Sequence, residues 1–434
     1  MKSGKQLLVH LLSALFGISA WIAINGLWQQ TPLLVSRLPE AWNLASYITL
    51  ITQLANVGPL LYSLLKRLFG SPFLERLSIH AINWIGIVAL VLQIFFWDHI
   101  SVVGSKEHSV AFLTLTFFLA IVDCTSSVLY IPFMSSIASN YLVSHLVGQS
   151  LSGLLPSFLA LAQGVGGNPD CHQVNGTQVP VYPSPRFSVN VFFGLLTLLA
   201  IISWFAFFLL SNLKRFFAID VTVGESSSRI AVETDKLQPQ QHQPYQQQQH
   251  HHHQQESSSL STRTLLTLLI TEACICCITN GLLPPIQPYS VLVYGNVAYH
   301  FVVSLSAIAS ASGTYCSGFL NARQAKVLPV LLALAVASAG FILASALSSP
   351  SRLVTGGFGS VLIVCVWVAN NALFAFCRAS ITRLLRAGSS QQKQSHRYLF
   401  LGGVFTQIGS AVGAIVMFCV INYTSAFKSF SPCS

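Results

Sequence analysis

Hydrophobic residues in this chain run on for about twenty positions at a time, and polar residues gather in short clusters between the runs. A run of that length predicts a bilayer-spanning α-helix, because about 20 residues rising 1.5 Å each cover a hydrocarbon core of about 30 Å. The pattern predicts eleven spans. Six lie at 7–28, 43–65, 79–97, 109–131, 142–162 and 189–210; five lie at 264–283, 297–319, 325–347, 354–377 and 398–420. The expected fold is all-α, a polytopic membrane protein in a 6+5 arrangement. A six-helix group covers 1–211, a five-helix group with a short outer tail covers 263–434, and 212–262 lies between them. That middle segment contains QPQQHQPYQQQQHHHHQQESSS, which has no apolar period, so it is expected to be a disordered cytosolic linker.

Composition supports the same class. Of 434 residues 53% are hydrophobic and only 8% are charged, with a mean hydropathy of +0.63. Soluble domains carry about a quarter charged residues, so this chain cannot cover a water-facing surface. The net charge of +10 does not point to nucleic acid, since no basic stripe with interleaved aromatics occurs. The positive residues follow the positive-inside rule instead. With the N-terminus cytosolic, the outer segments hold only Arg37, Lys106, Arg186, Arg352 and Lys428, and the other 17 of the 22 Lys and Arg fall inside. An odd number of spans then places the C-terminus outside. The first apolar run, Leu7 to Leu27, is too long for a signal-peptide core and ends in no small-residue cleavage site, so it reads as an uncleaved span.

The same topology puts the sequon at Asn175 in the outer loop between spans five and six, where glycosylation is possible. A second sequon, at Asn422, sits too close to span eleven for the glycosylation machinery. Cys171 and Cys433 both fall outside, where a disulfide is permitted. Cys274, Cys276 and Cys277 lack the His or second Cys pair that would complete a tetrahedral metal site. No nucleotide-binding loop, GxSxG elbow or HExxH motif occurs, so neither a pump driven by ATP nor a hydrolase is expected, and no cofactor is implied.

Polar residues inside the runs are the candidate chemistry. Trp21, Asn25 and Trp28 of WIAINGLWQQ stand at i, i+4 and i+7, one helical face. They make either a binding wall or an interfacial aromatic belt with a capping amide. Asp123 reads as the one carboxylate well within a span, with Ser126, Ser127 and Tyr130 on its face. It is either a proton-sensitive or structural site beside a central cavity, or a helix-to-helix hydrogen-bonding group. In span two Gln53 and Asn56 share a face just before Gly58-Pro59, which predicts a kink that lines a site or serves packing. Gln149 and Ser152 share a side of span five with Pro156. Span seven ends in Asn280, Gly281, Pro284, Gln287 and Tyr289, a polar break at its outer end like that of span one. His300 begins span eight, as a functional group or an interfacial hydrogen bonder. In span eleven GSAVG is a small-xxx-small packing signal, with Gln407 the one side chain there considered for substrate.

These residues sit in stretches that resemble a known family. WIAINGLWQQTPLLVSRLPEAWNLASYITLITQLANVGPLLYSLLKR, AFLTLTFFLAIVDCTSSV, GLLPSFLALAQG, TNGLLPPIQPYS, YGNVAYH and the GGVFTQIGSAVGA region are similar to the eukaryotic riboflavin transporters, solute carrier family 52. The resemblance implies an eleven-helix plasma-membrane carrier importing riboflavin, without enzymatic activity, arranged like major-facilitator or equilibrative-nucleoside carriers. Its flat ring would meet the Trp faces, and its amide-like edge and ribityl hydroxyls would meet Asn, Gln and Ser side chains. Two departures stand out. The family usually has WVELP where this chain has WQQTP, so Gln30 replaces a carboxylate. The outer loop SALSSPSRLV lacks the cysteine expected opposite the C-terminal one, which leaves Cys433 to pair with Cys171 or with nothing.

Overall fold

A computed structural model describes residues 2–135, 137, 139–174, 177–213, 261–319, 327–387, 392–429 and 433. Most of the expected linker, and the sequon asparagine Asn175, lie outside the described residues. Among the described residues ten helical segments are long and apolar enough to cross a membrane, and a bent pair, taken as one span, makes an eleventh crossing.

The first crossing is α1 (Lys2–Ile18) followed by α2 (Ile22–Leu34), bent by 50°. The second is α3 (Leu44–Leu54) and α4 (Val57–Phe69). Single helices α5 (Pro72–Phe96), α6 (Val110–Ser135), α7 (Ser139–Gln163) and α8 (Val189–Ser211) complete the six-span group. The seventh crossing joins α9 (Thr262–Cys276), a π-helical turn at Cys277–Leu282, and α10 (Leu283–Val291). Helices α11 (Asn296–Cys316), α12 (Leu328–Leu347), α13 (Gly356–Ala387) and α14 (Gln392–Tyr423) follow. Leu60, Phe95, Phe205 and Ile415 stay exposed on the helices, a surface suited to lipid rather than water.

Two small antiparallel hairpins mark one side of the molecule. In the first, β1 (Ser101–Val103) pairs with β2 (Lys106–His108); in the second, β3 (Asp170–Val174) pairs with β4 (Thr177–Val181). The opposite side carries the ends of α8 and α9 and is called here the linker side. On the hairpin side a disulfide joins Cys171, in β3 of the six-span group, to Cys433, beyond α14 of the five-span group.

Each group is drawn together where glycine lets two backbones touch. A Cβ on Gly148 of α7 would fall on the Ala14 carbonyl of α1, and one on Gly17 would fall on the His145 carbonyl. In the second group Gly409 and Gly413 of α14 face the Ala273 and Cys277 carbonyls, as the small-xxx-small spacing predicts.

Candidate functional site

Three crossings are broken near mid-length, and the sequence gives the reason for two. Pro59 has no N–H to offer the Ala55 carbonyl; that carbonyl accepts from Gly58 at 3.0 Å instead, and α3 gives way to α4. In the seventh crossing Pro284 and Pro285 withhold the donors due to Asn280 and Gly281, and the chain widens into a π turn over those residues. Both the first and seventh crossings extend past their expected ends, to Leu34 and Tyr294. Polar residues read from sequence as helix ends therefore lie inside longer crossings, at a break or just beyond it.

The first break, at residues 19–21, is held by side chains from distant helices. Its start at α2 leaves backbone N–H groups without intrahelical partners, and Asp123 of α6 accepts from the Ile24 N–H at 2.9 Å. Ser126 donates to the Ala20 carbonyl at 2.8 Å. Ser203 of α8 donates to the Phe16 carbonyl at 3.0 Å and accepts from the Ser19 N–H at 3.2 Å. An acid at the positive end of a helix dipole is favourable there.

The three breaks meet around one cavity of about 360 Å³, within the roughly 300–1,000 Å³ of small-molecule sites. The six-span group contributes Trp21, Asn25 and Trp28 on one wall and Thr49, Thr52, Gln53 and Asn56 on another. Opposite them stand Thr279, Asn280 and Pro284 of the π turn, Arg378 of α13, and Thr406, Gln407 and Ser410 of α14. A second cavity, of about 320 Å³, shares Thr279, Asn280 and Arg378 and reaches Thr314 and Thr382 near the linker-side ends of α11 and α13. Aromatic faces beside amide and hydroxyl groups can hold a flat polar solute.

On the hairpin side the two groups are fastened together. Asn43 donates to the Asn422 side chain at 3.2 Å, Asn422 donates to Ser46 at 3.0 Å, and Tyr289 donates to Asn43. The Val297 N–H donates to Asn168 at 3.1 Å. The sequon asparagine Asn422 is thus committed to this seam.

Of the candidate residues, Trp21, Asn25, Trp28, Gln53, Asn56 and Asn280 come together around the cavity. Asp123, fully buried, is turned to the helix break. Ser152 bonds its own helix at the Gln149 carbonyl, and Ser127 and Gln149 are half-buried outside the cavity lining. Gln287 and His300 are buried away from it, and Tyr289 belongs to the seam between the groups. Gln30 is buried and donates to Gln163 of α7 at 2.7 Å, so the position of the replaced carboxylate also faces away.

Asp123 is not the only carboxylate within a crossing. Glu272 of α9 is buried and accepts from Arg378 Nε at 3.3 Å and from Thr406 at 3.3 Å. Glu272 lies inside the expected span 264–283, and its position there is the signal that marks it. Arg378 falls one residue past the expected span ten, and α13 runs on to Ala387, which draws it inside.

Two helical groups, clasped on one side around a polar and aromatic cavity, define a membrane carrier for a small solute. Its sequence matches the profile of "Solute carrier family 52, riboflavin transporter" over residues 5–429, and the chain belongs to that family. It is 36% identical over 449 residues to riboflavin transporter member 3-A of Danio rerio, covering 99% of this chain and 98% of that one. It is 35% identical to member 3 of Homo sapiens, covering 98% of each. Solved structures with a similar fold include the nucleoside transporter NupG, at TM-score 0.56 and 11% identity, covering 98% of this chain and 94% of that one. The xylose transporter XylE, inward open, aligns at TM-score 0.53 and 12% identity over 97% of this chain and 90% of that one.

Proposed function

We propose that this chain imports riboflavin across the plasma membrane, moving it unaltered between the six-span and five-span groups by alternating access. Its N-terminus is cytosolic and its C-terminus extracellular, because that orientation puts most Lys and Arg inside. The hairpin side is then the outer face. With its seam closed and the cavities extending toward the linker side, the structure corresponds to an inward-facing state.

The observation that carries this reading is the cavity itself, where Trp21 and Trp28 flank Asn25 in a chain of the riboflavin transporter family. The Trp faces suit the isoalloxazine ring, and Gln53, Asn56 and Asn280 supply both donors and acceptors for a substrate that carries both. Labelled riboflavin uptake into cells expressing the chain tests the reading, with excess riboflavin, FMN and a nucleoside as competitors. Saturable uptake blocked by riboflavin, and little by the other two, is the expected result. Surface-expressed protein without uptake, or uptake blocked equally by the nucleoside, would overturn it.

A further inference from the structure

A partly buried ion pair, Glu272 with Arg378, forms part of the cavity wall. Glu272 keeps Oε1 on Arg378, Thr406 and Cys276, while its second oxygen, Oε2, is buried without a hydrogen-bond partner. Arg378 uses only Nε in that pair. Its two terminal nitrogens have no partner among the described residues, and its side chain, 35% exposed, lines both cavities. A guanidinium is planar, donates only, and presents its donors as a fixed fork. One edge is therefore held by Glu272, and the rest of the fork is open to whatever fills the cavity.

Resting on the riboflavin reading, we infer that Arg378 is a specificity-determining substrate contact, and that Glu272 is its positioning residue. The fork donates to a pair of adjacent in-plane acceptors on the ring edge, a ring nitrogen with its neighbouring carbonyl. Ribityl hydroxyls fit it less well, since they are neither coplanar nor pure acceptors. A phosphate is also a poor fit. Glu272 already neutralises the guanidinium, and the bare Oε2 would repel a second anion. A neutral ligand with acceptors at one flat edge matches a charge-neutral pair.

The test is uptake of labelled riboflavin with 1-deazariboflavin and 5-deazariboflavin as competitors, each having carbon in place of one ring nitrogen. Wild type should disfavour one of the two by about ten- to hundredfold, the range for a lost bond to a charged donor. In E272Q/R378Q, which removes both charges and strands neither, riboflavin should weaken by a similar factor and the preference should vanish. E272Q alone should shrink the preference while Arg378 remains, a change that loss of packing would not produce.

Equal competition by both analogues in wild type would overturn the inference, as would a preference that survives in E272Q/R378Q. FMN competition that E272Q/R378Q abolishes would assign the fork to a phosphate and overturn it too. A wild-type chain without riboflavin uptake would remove the transport reading itself, and this inference with it.

Discussion

Asp123 Oδ2 stands 2.9 Å from the backbone nitrogen of Ile24, a residue 99 positions earlier in the chain. That contact places the acid at the break of the first crossing and turns it away from the cavity. An acceptor is what the broken helix lacks, so Asp123→Asn should keep most of the fold through its amide oxygen. Asp123→Ala leaves a buried N–H bare, at a cost of about 1–3 kcal/mol. Thermal unfolding of the purified variants should rank wild type and D123N above D123A. Equal damage from both would show that the charge, rather than the acceptor, holds the break.

Asn25 and Trp28 line the cavity from the segment that follows that break. Losing one neutral hydrogen bond costs about 0.5–1.5 kcal/mol, so Asn25→Ala should raise the half-saturating riboflavin concentration by about two- to tenfold at unchanged surface expression. Trp28→Ala removes a stacking face and should raise it by about tenfold or more. Unchanged uptake kinetics in both variants would remove this wall from the site.

Gly281 sits in the π turn, where a Cβ would fall 2.5 Å from the Gly413 Cα of α14. Gly281→Ala should destabilise by about 1–3 kcal/mol through overpacking, although alanine is ordinarily the better helix former. Gly340→Ala on α12 is the matched control, since its Cβ meets nothing within 4 Å. A thermal shift that affects G281A and spares G340A is expected. Equal stability of the two would mean that α14 yields easily at this contact.

Length and apolarity made the eleven crossings legible, because a bilayer imposes both on every spanning helix. Gly58-Pro59 announced the break in the second crossing, whereas those in the first and seventh read only as polar helix ends. Nothing local distinguishes a helix that stops at WIAINGLWQQ from one that breaks and resumes. The groups that let it resume, Asp123, Ser126 and Ser203, come from α6 and α8, far along the chain. The one-face spacing of Trp21, Asn25 and Trp28 found a cavity wall, although Trp21 itself is in a non-helical conformation. Tyr289 carried the same polar signature and lies in the seam instead, since composition does not reveal which way a helix face turns. The Glu272–Arg378 pair joins residues 106 apart. An ion pair between two helices has no spacing by which sequence could announce it.

The bond between Cys171 and Cys433 turns most of the polypeptide into a covalent ring. Its sequence separation of 262 residues encloses the whole second group together with the segment that precedes it. The two groups are thus joined at two ends, by the chain between them on one side of the membrane and by sulfur on the other. A protease site placed near residue 240 makes the ring visible. After cleavage the chain should migrate as one species on a non-reducing gel and as two fragments once reduced, whereas two fragments without reductant would mean that the ring is not closed. The ring also limits the carrier's motion. About ten residues separate the end of α14 from Cys433, and an extended chain spans at most about 3.3–3.6 Å per residue. However the hairpin side parts, that short cord and the stretch from the end of α7 to Cys171 limit how wide it can open.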